Sequence, residues 1–182
     1  MNVNQKGKEE HTYDAIIVGS GISGGWAAKE LCEKGLKVLM LERGKPLEHP
    51  NYPTATKDPW DFSNGMHLTQ EDRERGYVQQ SHYSYRGDNK EFYINDLENP
   101  YTEKKRFDWI RGDIVGGRSL LWGRASYRWS DLDFEANGKE GIAVDWPVRY
   151  KDLAPWYSYV EKFAGISGNK DGLSQLPDGD FL

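Results

Sequence analysis

Cysteine is nearly absent from this chain: Cys32 is the only one in 182 residues. A single thiol excludes an internal disulfide framework and a cysteine-based zinc site, and no metal is expected. Long apolar runs are missing too. None approaches the ~18–20 residues a helix needs to cross a bilayer, so no membrane span is expected. Positive charge is not in excess, with 24 Lys and Arg against 29 Asp and Glu and a net charge of −5. Binding nucleic acid regardless of its sequence requires clustered positive charge, so nucleic acid is not an expected partner. Aliphatic side chains are also scarce: Val, Ile, Leu and Phe number 36 of 182, at the edge of what supports a buried core. The 7 Trp, 11 Tyr and 6 Phe argue against disorder, because each buries a large area and orders what it packs against.

Along the chain the texture changes several times. Residues 1–12 are polar, lack an apolar signal core and read as a flexible leader. That predicts a cytoplasmic location, with a periplasmic one reached only through a signal-bearing partner subunit. Residues 13–45 hold a β-α-β pattern: a short apolar run from Tyr13 to Val18, glycines, a helix from Trp26 to Lys34, a stop at Gly35, and a second apolar run from Lys37 to Leu41. Both runs read as strands buried on both faces. Residues 46–106 carry Pro46, Pro50, Pro53 and Pro59 and no sustained period. They read as an irregular cap with one short helix from Gln70 to Arg75. Residues 107–164 return to order, with a strand expected at Phe107–Ile110, a glycine loop, a helix start at Ser130–Phe134, and a helix from about Asp152 with Pro155 in its first turn. Residues 165–182 read as a linker.

The pattern Gly19-x-Gly21-x-x-Gly24 lies between the first strand and its helix, and Glu42 ends the second strand. Each position has a physical reason. Gly19 permits a tight turn, Gly21 lets a pyrophosphate approach the backbone, and Gly24 lets the helix lie close to the sheet. The helix N-terminus then offers N–H groups and a positive dipole end to phosphate. Ser20, Ile22 and Ser23 complete that loop as candidate cofactor contacts. Glu42 is placed to accept hydrogen bonds from a ribose with a free 2′-hydroxyl, which suits FAD or NAD better than NADP. Arg43 beside it is either a cofactor contact or a solvated charge.

A second glycine motif, Val115-Gly116-Gly117-Arg118-Ser119-Leu120-Leu121-Trp122-Gly123-Arg124, follows later. Backbone amides of such a turn make a candidate anion nest. Taken with Asp14–Gly44 and with Asp145–Gly168, which contains Asp-Trp-Pro and Tyr-x-Asp-Leu-x-Pro-Trp-Tyr, the sequence resembles the amino-terminal part of glucose-methanol-choline (GMC) oxidoreductases. Within that family it is most similar to the bacterial sugar and glucoside 3-dehydrogenase branch. The resemblance implies a Rossmann-like α/β FAD-binding fold and an FAD-dependent enzyme. It also implies oxidation of a CH–OH group on a sugar or glucoside by hydride transfer to flavin. The implied cofactor contacts add Gly116, Gly117, Ser119, Trp122 and Gly123, with Ser119 on a phosphate or flavin oxygen and Trp122 either a wall for the flavin or a core aromatic. Arg118 and Arg124 read equally well as ligands and as surface or ion-pair residues, and Arg111 is a weaker candidate ligand than either. Some relatives attach flavin through a histidine in this loop. Leu121 stands at that position here, which implies non-covalent FAD.

The family's catalytic histidine lies near the far end of a much longer chain. His11, His49, His67 and His82 all fall outside the matching motifs and read as exposed loop residues, so no catalytic residue is assigned. Only two convincing parallel strands occur, fewer than a doubly wound fold requires. The expectation is therefore an incomplete fold, an amino-terminal fragment inactive alone, with the remaining strands and substrate domain elsewhere. The implied partners are a sugar or alcohol substrate, an electron acceptor such as a cytochrome or quinone, and a small export subunit. Two other readings stay open: an NAD-dependent oxidoreductase, and a non-catalytic dinucleotide-binding module.

Overall fold

The computed structural model describes residues 12–48, 50 and 52–182. They form two compact units, which meet in sequence between Trp122 and Gly123.

In the first unit, β1 (Ala15–Val18) and β2 (Val38–Leu41) pair in parallel, with Ala15 opposite Val38 and Val18 opposite Leu41. The crossover is α1 (Ile22–Glu33). This is the β-α-β core of a Rossmann-like α/β fold. The helix starts at Ile22, four residues before the expected Trp26, because Gly21 is its N-cap and Gly24 sits inside its first turn. A left-handed Gly35 follows its end. The expectation that both strands are buried on both faces is corrected. Ile16 is 63% exposed and Val18 83%, because α1 covers only the face that alternate residues present.

The core of this unit lies in the segment expected to be an irregular cap. Val78, Tyr85, Tyr93 and Ile94 are buried there, together with Asp72, Gln79, Asp88 and Asp96, and Ile114 from the following segment joins them among the buried residues. Its regular structure is α2 (Gln70–Arg75), capped by the Thr69 hydroxyl, and a series of 3-10 turns. Such backbone cannot satisfy its own polar groups, so side chains do so. The Asp96 carboxylate accepts from Val78 N–H at 2.7 Å, Gln79 Nε2 at 2.7 Å and Arg111 Nη2 at 3.0 Å. Gln79 Oε1 in turn accepts from Arg111 N–H at 2.9 Å. No strand forms at Phe107–Ile110, contrary to expectation. Its N–H groups go to side chains instead of a ladder: Phe107 N–H to Glu103 at 2.5 Å and Trp109 N–H to the Tyr101 hydroxyl at 3.1 Å.

The second unit is helical. In α3 (Asp131–Glu140), the Asp133 carboxylate accepts from Ser130 N–H at 2.8 Å and from the Ser130 hydroxyl at 3.1 Å, and left-handed Gly141 ends the helix. In α4 (Tyr150–Ala164), the Asp152 carboxylate accepts from Arg149 N–H at 2.9 Å. Asp152 is thus the third residue of the helix rather than its start, and Pro155 lies in the second turn, not the first. The rings of Trp129 and Trp146 meet buried Phe134 at 5.8 and 6.5 Å. Arg128 and Glu161 form a buried forked pair at 2.8 and 2.6 Å, and Arg128 also donates to Tyr150 and Ser158. The Arg128 hydrogen bonds hold the Glu161 carboxyl below its ordinary range, against the effect of burial. Residues 165–182 are loop, with one isolated bridge between Leu173 and Leu176. Among the described residues, no helix is long and apolar enough to cross a membrane.

Candidate functional site

β1 runs out at Val18, and Gly19 turns the chain with φ +92°, its N–H on the Leu41 carbonyl at 2.7 Å. Gly21 then caps α1. No side chain caps this helix, and its first turn has no acidic residue. The first N–H groups of α1 and its positive dipole end therefore face outward unanswered by side chains. The three glycines do different work. A Cβ at Gly24 would stand 1.9 Å from the Gly19 carbonyl oxygen and 3.2 Å from Ile17, so this glycine serves helix–strand packing. A Cβ at Gly21 would meet only the Gly116 oxygen, at 3.9 Å. Protein contacts do not require a glycine there. A glycine there leaves the backbone open toward the space in front of the loop.

In front of this loop lies an open groove of about 390 Å³. One side is formed by Val18, Gly19 and the stretch Gly21 to Gly24, the other by Arg118, Ser119 and Trp122. The two glycine motifs, nearly a hundred residues apart, thus border one groove. A dinucleotide pyrophosphate fits this arrangement: an uncapped helix N-terminus, space above Gly21, and an arginine across the groove.

Glu42 lies half-buried beside the loop. Its Oε2 accepts from Ser20 N–H at 2.7 Å and from the Ser20 hydroxyl, and its Oε1 accepts from Gly44 N–H at 2.6 Å. Burial pushes this carboxyl up. The Ser20 hydroxyl and the Gly44, Ser20 and Arg43 amides outweigh it and hold the group down at about 2. The Arg43 side chain, largely exposed, points instead to Asp113 at 3.9 Å, which Lys45 also approaches at 3.5 Å.

The second motif forms a tight turn, left-handed at Gly116 (φ +89°) and Gly117 (φ +55°), leading into a 3-10 turn over Gly117–Leu120. The expectation of an anion nest is corrected here. Gly116 N–H donates to the Ser20 hydroxyl at 2.8 Å, Gly117 N–H to Ile114 at 2.8 Å, and Ser119 N–H to Gly116 at 3.2 Å. These amides hold the turn together rather than facing a ligand. The Ser119 hydroxyl is likewise engaged, donating to the Gly116 carbonyl at 2.6 Å. Trp122 lines the groove and is partly exposed, while Gly123 opens the second unit.

Of the arginines, Arg118 faces the groove and Arg111 does not. Arg111 is held by Asp96, by the Asn99 carbonyl at 2.7 Å, and by the rings of Tyr101 and Trp109. Arg124 has left-handed backbone at φ +60°. His67 is an exposed loop residue, as expected, and His11 and His49 lie outside the described residues. His82 departs from the expected exposed loop histidine. Its Nδ1 lies 2.8 Å from the Ser84 hydroxyl and 3.2 Å from that of buried Tyr93. Burial, with Arg118 nearby, lowers its basicity. No residue of this cluster lines the groove. Among the described residues no group of three metal-ligating side chains exists.

Two features of the site were missed in sequence. A Cβ at Gly44 would stand 2.3 Å from the Ile114 carbonyl carbon. That glycine lets the end of β2 meet the approach to the second motif, where Lys45 and Ile114 form a parallel bridge. Its place just after the strand-ending acid was the available signal. The other is the bridging hydroxyl of Ser20, which no local pattern announces because its partner is Gly116.

Comparison with known proteins places these observations. Residues 17–71 match the NAD(P)-binding Rossmann-like domain family. A gluconate 2-dehydrogenase flavoprotein from Pantoea cypripedii is 30% identical over 86% of this chain and 26% of its own length. A 2-methyl-1,2-propanediol dehydrogenase from Mycolicibacterium austroafricanum is 27% identical over 85% of this chain and 25% of its own. The large subunit of fructose dehydrogenase from Gluconobacter japonicus is 26% identical over 88% and 28%. This chain is similar to FAD-dependent oxidoreductases of the GMC type. It spans about a quarter of the length of these curated relatives. A solved FAD-dependent oxidoreductase from Chaetomium thermophilum covers 92% of the chain at 21% identity with a TM-score of 0.41, spanning 26% of that structure. The comparisons support the Rossmann-like fold and FAD as the cofactor. They do not single out the glucoside 3-dehydrogenase branch.

Proposed function

We propose that this chain supplies the FAD-binding part of an oxidoreductase that acts on a CH–OH group of an alcohol or sugar. The observation that carries this reading is the uncapped N-terminus of α1 above the open space at Gly21, facing Arg118, Ser119 and Trp122 across one groove. Bound FAD would supply the hydride acceptor. The residues of this chain hold and orient it: the amides of α1 and Arg118 toward the pyrophosphate, Glu42 toward the adenosine ribose, and Trp122 along the groove. Leu121 and its neighbours offer no side chain for a covalent flavin link, which supports non-covalent FAD. No base for the substrate hydroxyl is assigned. His82, the one histidine in a side-chain hydrogen-bonded cluster among the described residues, is not in the groove lining.

The relatives act on a diol, on gluconate and on fructose, as their names state, which supports a polyhydroxylated substrate class. A sugar or glucoside is the finer reading. The name of one relative as a large subunit supports a separate partner subunit. An electron acceptor such as a cytochrome or quinone completes the proposal. The second reading, an NAD-dependent oxidoreductase, is favoured by the family model over residues 17–71. Titrating the chain with FAD and with NADH separates them. FAD should bind with a perturbed flavin spectrum, and preferential binding of NADH would overturn the assignment.

A further inference from the structure

The hydroxyl of Ser20 is used twice. It donates to Glu42 Oε2 and accepts Gly116 N–H at 2.8 Å, across 96 residues of sequence. The direction of both bonds is fixed, because an ionised carboxylate only accepts and an amide only donates. Ser20 N–H adds a second bond to the same carboxylate oxygen at 2.7 Å. One side chain therefore joins the first glycine turn, the acid at the end of β2 and the second glycine turn.

We infer that Ser20 is a positioning residue for the dinucleotide: its hydroxyl fixes the Glu42 carboxylate and sets the distance between the two glycine turns before the cofactor arrives. This rests on the reading above that the groove takes FAD. A glutamate at a strand end has freely rotating side-chain bonds, and ordering them on binding costs affinity. Ser20 on Oε2 and Gly44 on Oε1 set that orientation in advance. The same hydroxyl anchors Gly116, whose left-handed turn carries Arg118, Ser119 and Trp122 on the far side of the groove. The spacing of Gly19, Gly21 and Gly24 does not foretell this role, since the motif leaves the residue between its first two glycines open.

The test is equilibrium titration of the full chain with FAD, followed by flavin fluorescence, in four variants. Ser20→Ala removes both bonds and should weaken FAD binding about tenfold, as expected for bonds to a charged group. Ser20→Thr keeps the hydroxyl and should stay within about twofold of the parent. In a Glu42→Ala background, Ser20→Ala should cost at most about threefold, because part of its action passes through Glu42. Should Ser20→Ala not fold, Ser20→Cys, similar in size with a weak donor, carries the same expectation. An unchanged affinity in Ser20→Ala, failure of Thr to restore it, or the full loss repeated in the Glu42→Ala background would each overturn the inference. If the parent chain itself does not bind FAD, the cofactor reading fails and this inference fails with it.

Discussion

Ser20 meets Glu42 at two points on one oxygen, through its N–H at 2.7 Å and through its hydroxyl. The consequence reaches beyond the loop, because these bonds, together with the Gly44 and Arg43 amides, hold the Glu42 carboxyl down at about 2.

A depressed carboxyl has a definite sign in stability. The contribution of Glu42 is fully present above its ordinary value of about 4.3. It is lost as pH falls from there toward about 2. Thermal unfolding of the parent and of Glu42→Gln should differ at pH 7, with the parent more stable, and the gap should narrow below pH about 4. A gap that stays constant into acid would contradict the assigned ionisation.

Gly21 and Gly24 should respond differently to alanine. Gly24→Ala forces a Cβ to within 1.9 Å of a carbonyl oxygen. It should cost about 3 kcal/mol or more of stability and broaden or abolish cooperative unfolding. Gly21→Ala has room in the protein, with its nearest neighbour at 3.9 Å. Its stability should stay within about 0.5 kcal/mol of the parent while FAD affinity falls at least about tenfold. Circular dichroism melts and FAD titration read the two effects separately. Equal damage to stability at both sites would contradict the different packing of the two glycines, and unchanged FAD affinity in Gly21→Ala would show that the cofactor does not approach there.

How much of this was legible in the sequence follows from physical range. The first glycine turn, its strands and the Glu42 position depend on local spacing, and all three could be read. The true start of α1 was harder, because glycines inside a first turn look like loop until Gly24 is seen against Ile17. The core around Val78, Tyr85 and Tyr93 escaped notice because 3-10 turns carry no hydrophobic period. The strand expected at Phe107–Ile110 failed because Glu103 and Tyr101 take its N–H groups. In the second motif, the paired glycines marked a turn. They did not predict that the amides point inward, since the acceptors of those amides, Ser20 and Ile114, are set by tertiary contact.

In the second unit, Arg128 and Glu161 are mutually dependent. Arg128→Ala leaves a buried carboxylate without its fork and should destabilise the unit by about 3–5 kcal/mol. Arg128→Lys should recover little, because an ammonium cannot reach Glu161, Tyr150 and Ser158 in the planar pattern seen here. Urea unfolding followed by tryptophan fluorescence of Trp129 and Trp146 reads this directly. A loss under about 1 kcal/mol would mean the pair is solvated rather than buried.

Asp96 plays the corresponding part in the first unit. It accepts from Val78, Gln79 and Arg111 at once, so Asp96→Ala leaves several buried donors unanswered and should cost about 3 kcal/mol or more. Amide hydrogen exchange should show Val78 and Gln79 losing protection first. Retained protection in Asp96→Ala would place the support for this segment elsewhere.

The central claim is that the groove between the two glycine turns holds FAD. Its most direct test is titration of the chain with FAD, monitored by flavin absorbance and fluorescence, followed by acid precipitation of the complex. The account predicts saturable, equimolar binding that is weakened by Gly21→Ala, with all flavin released into the acid supernatant. Absence of FAD binding, or binding unaffected by Gly21→Ala, would contradict it.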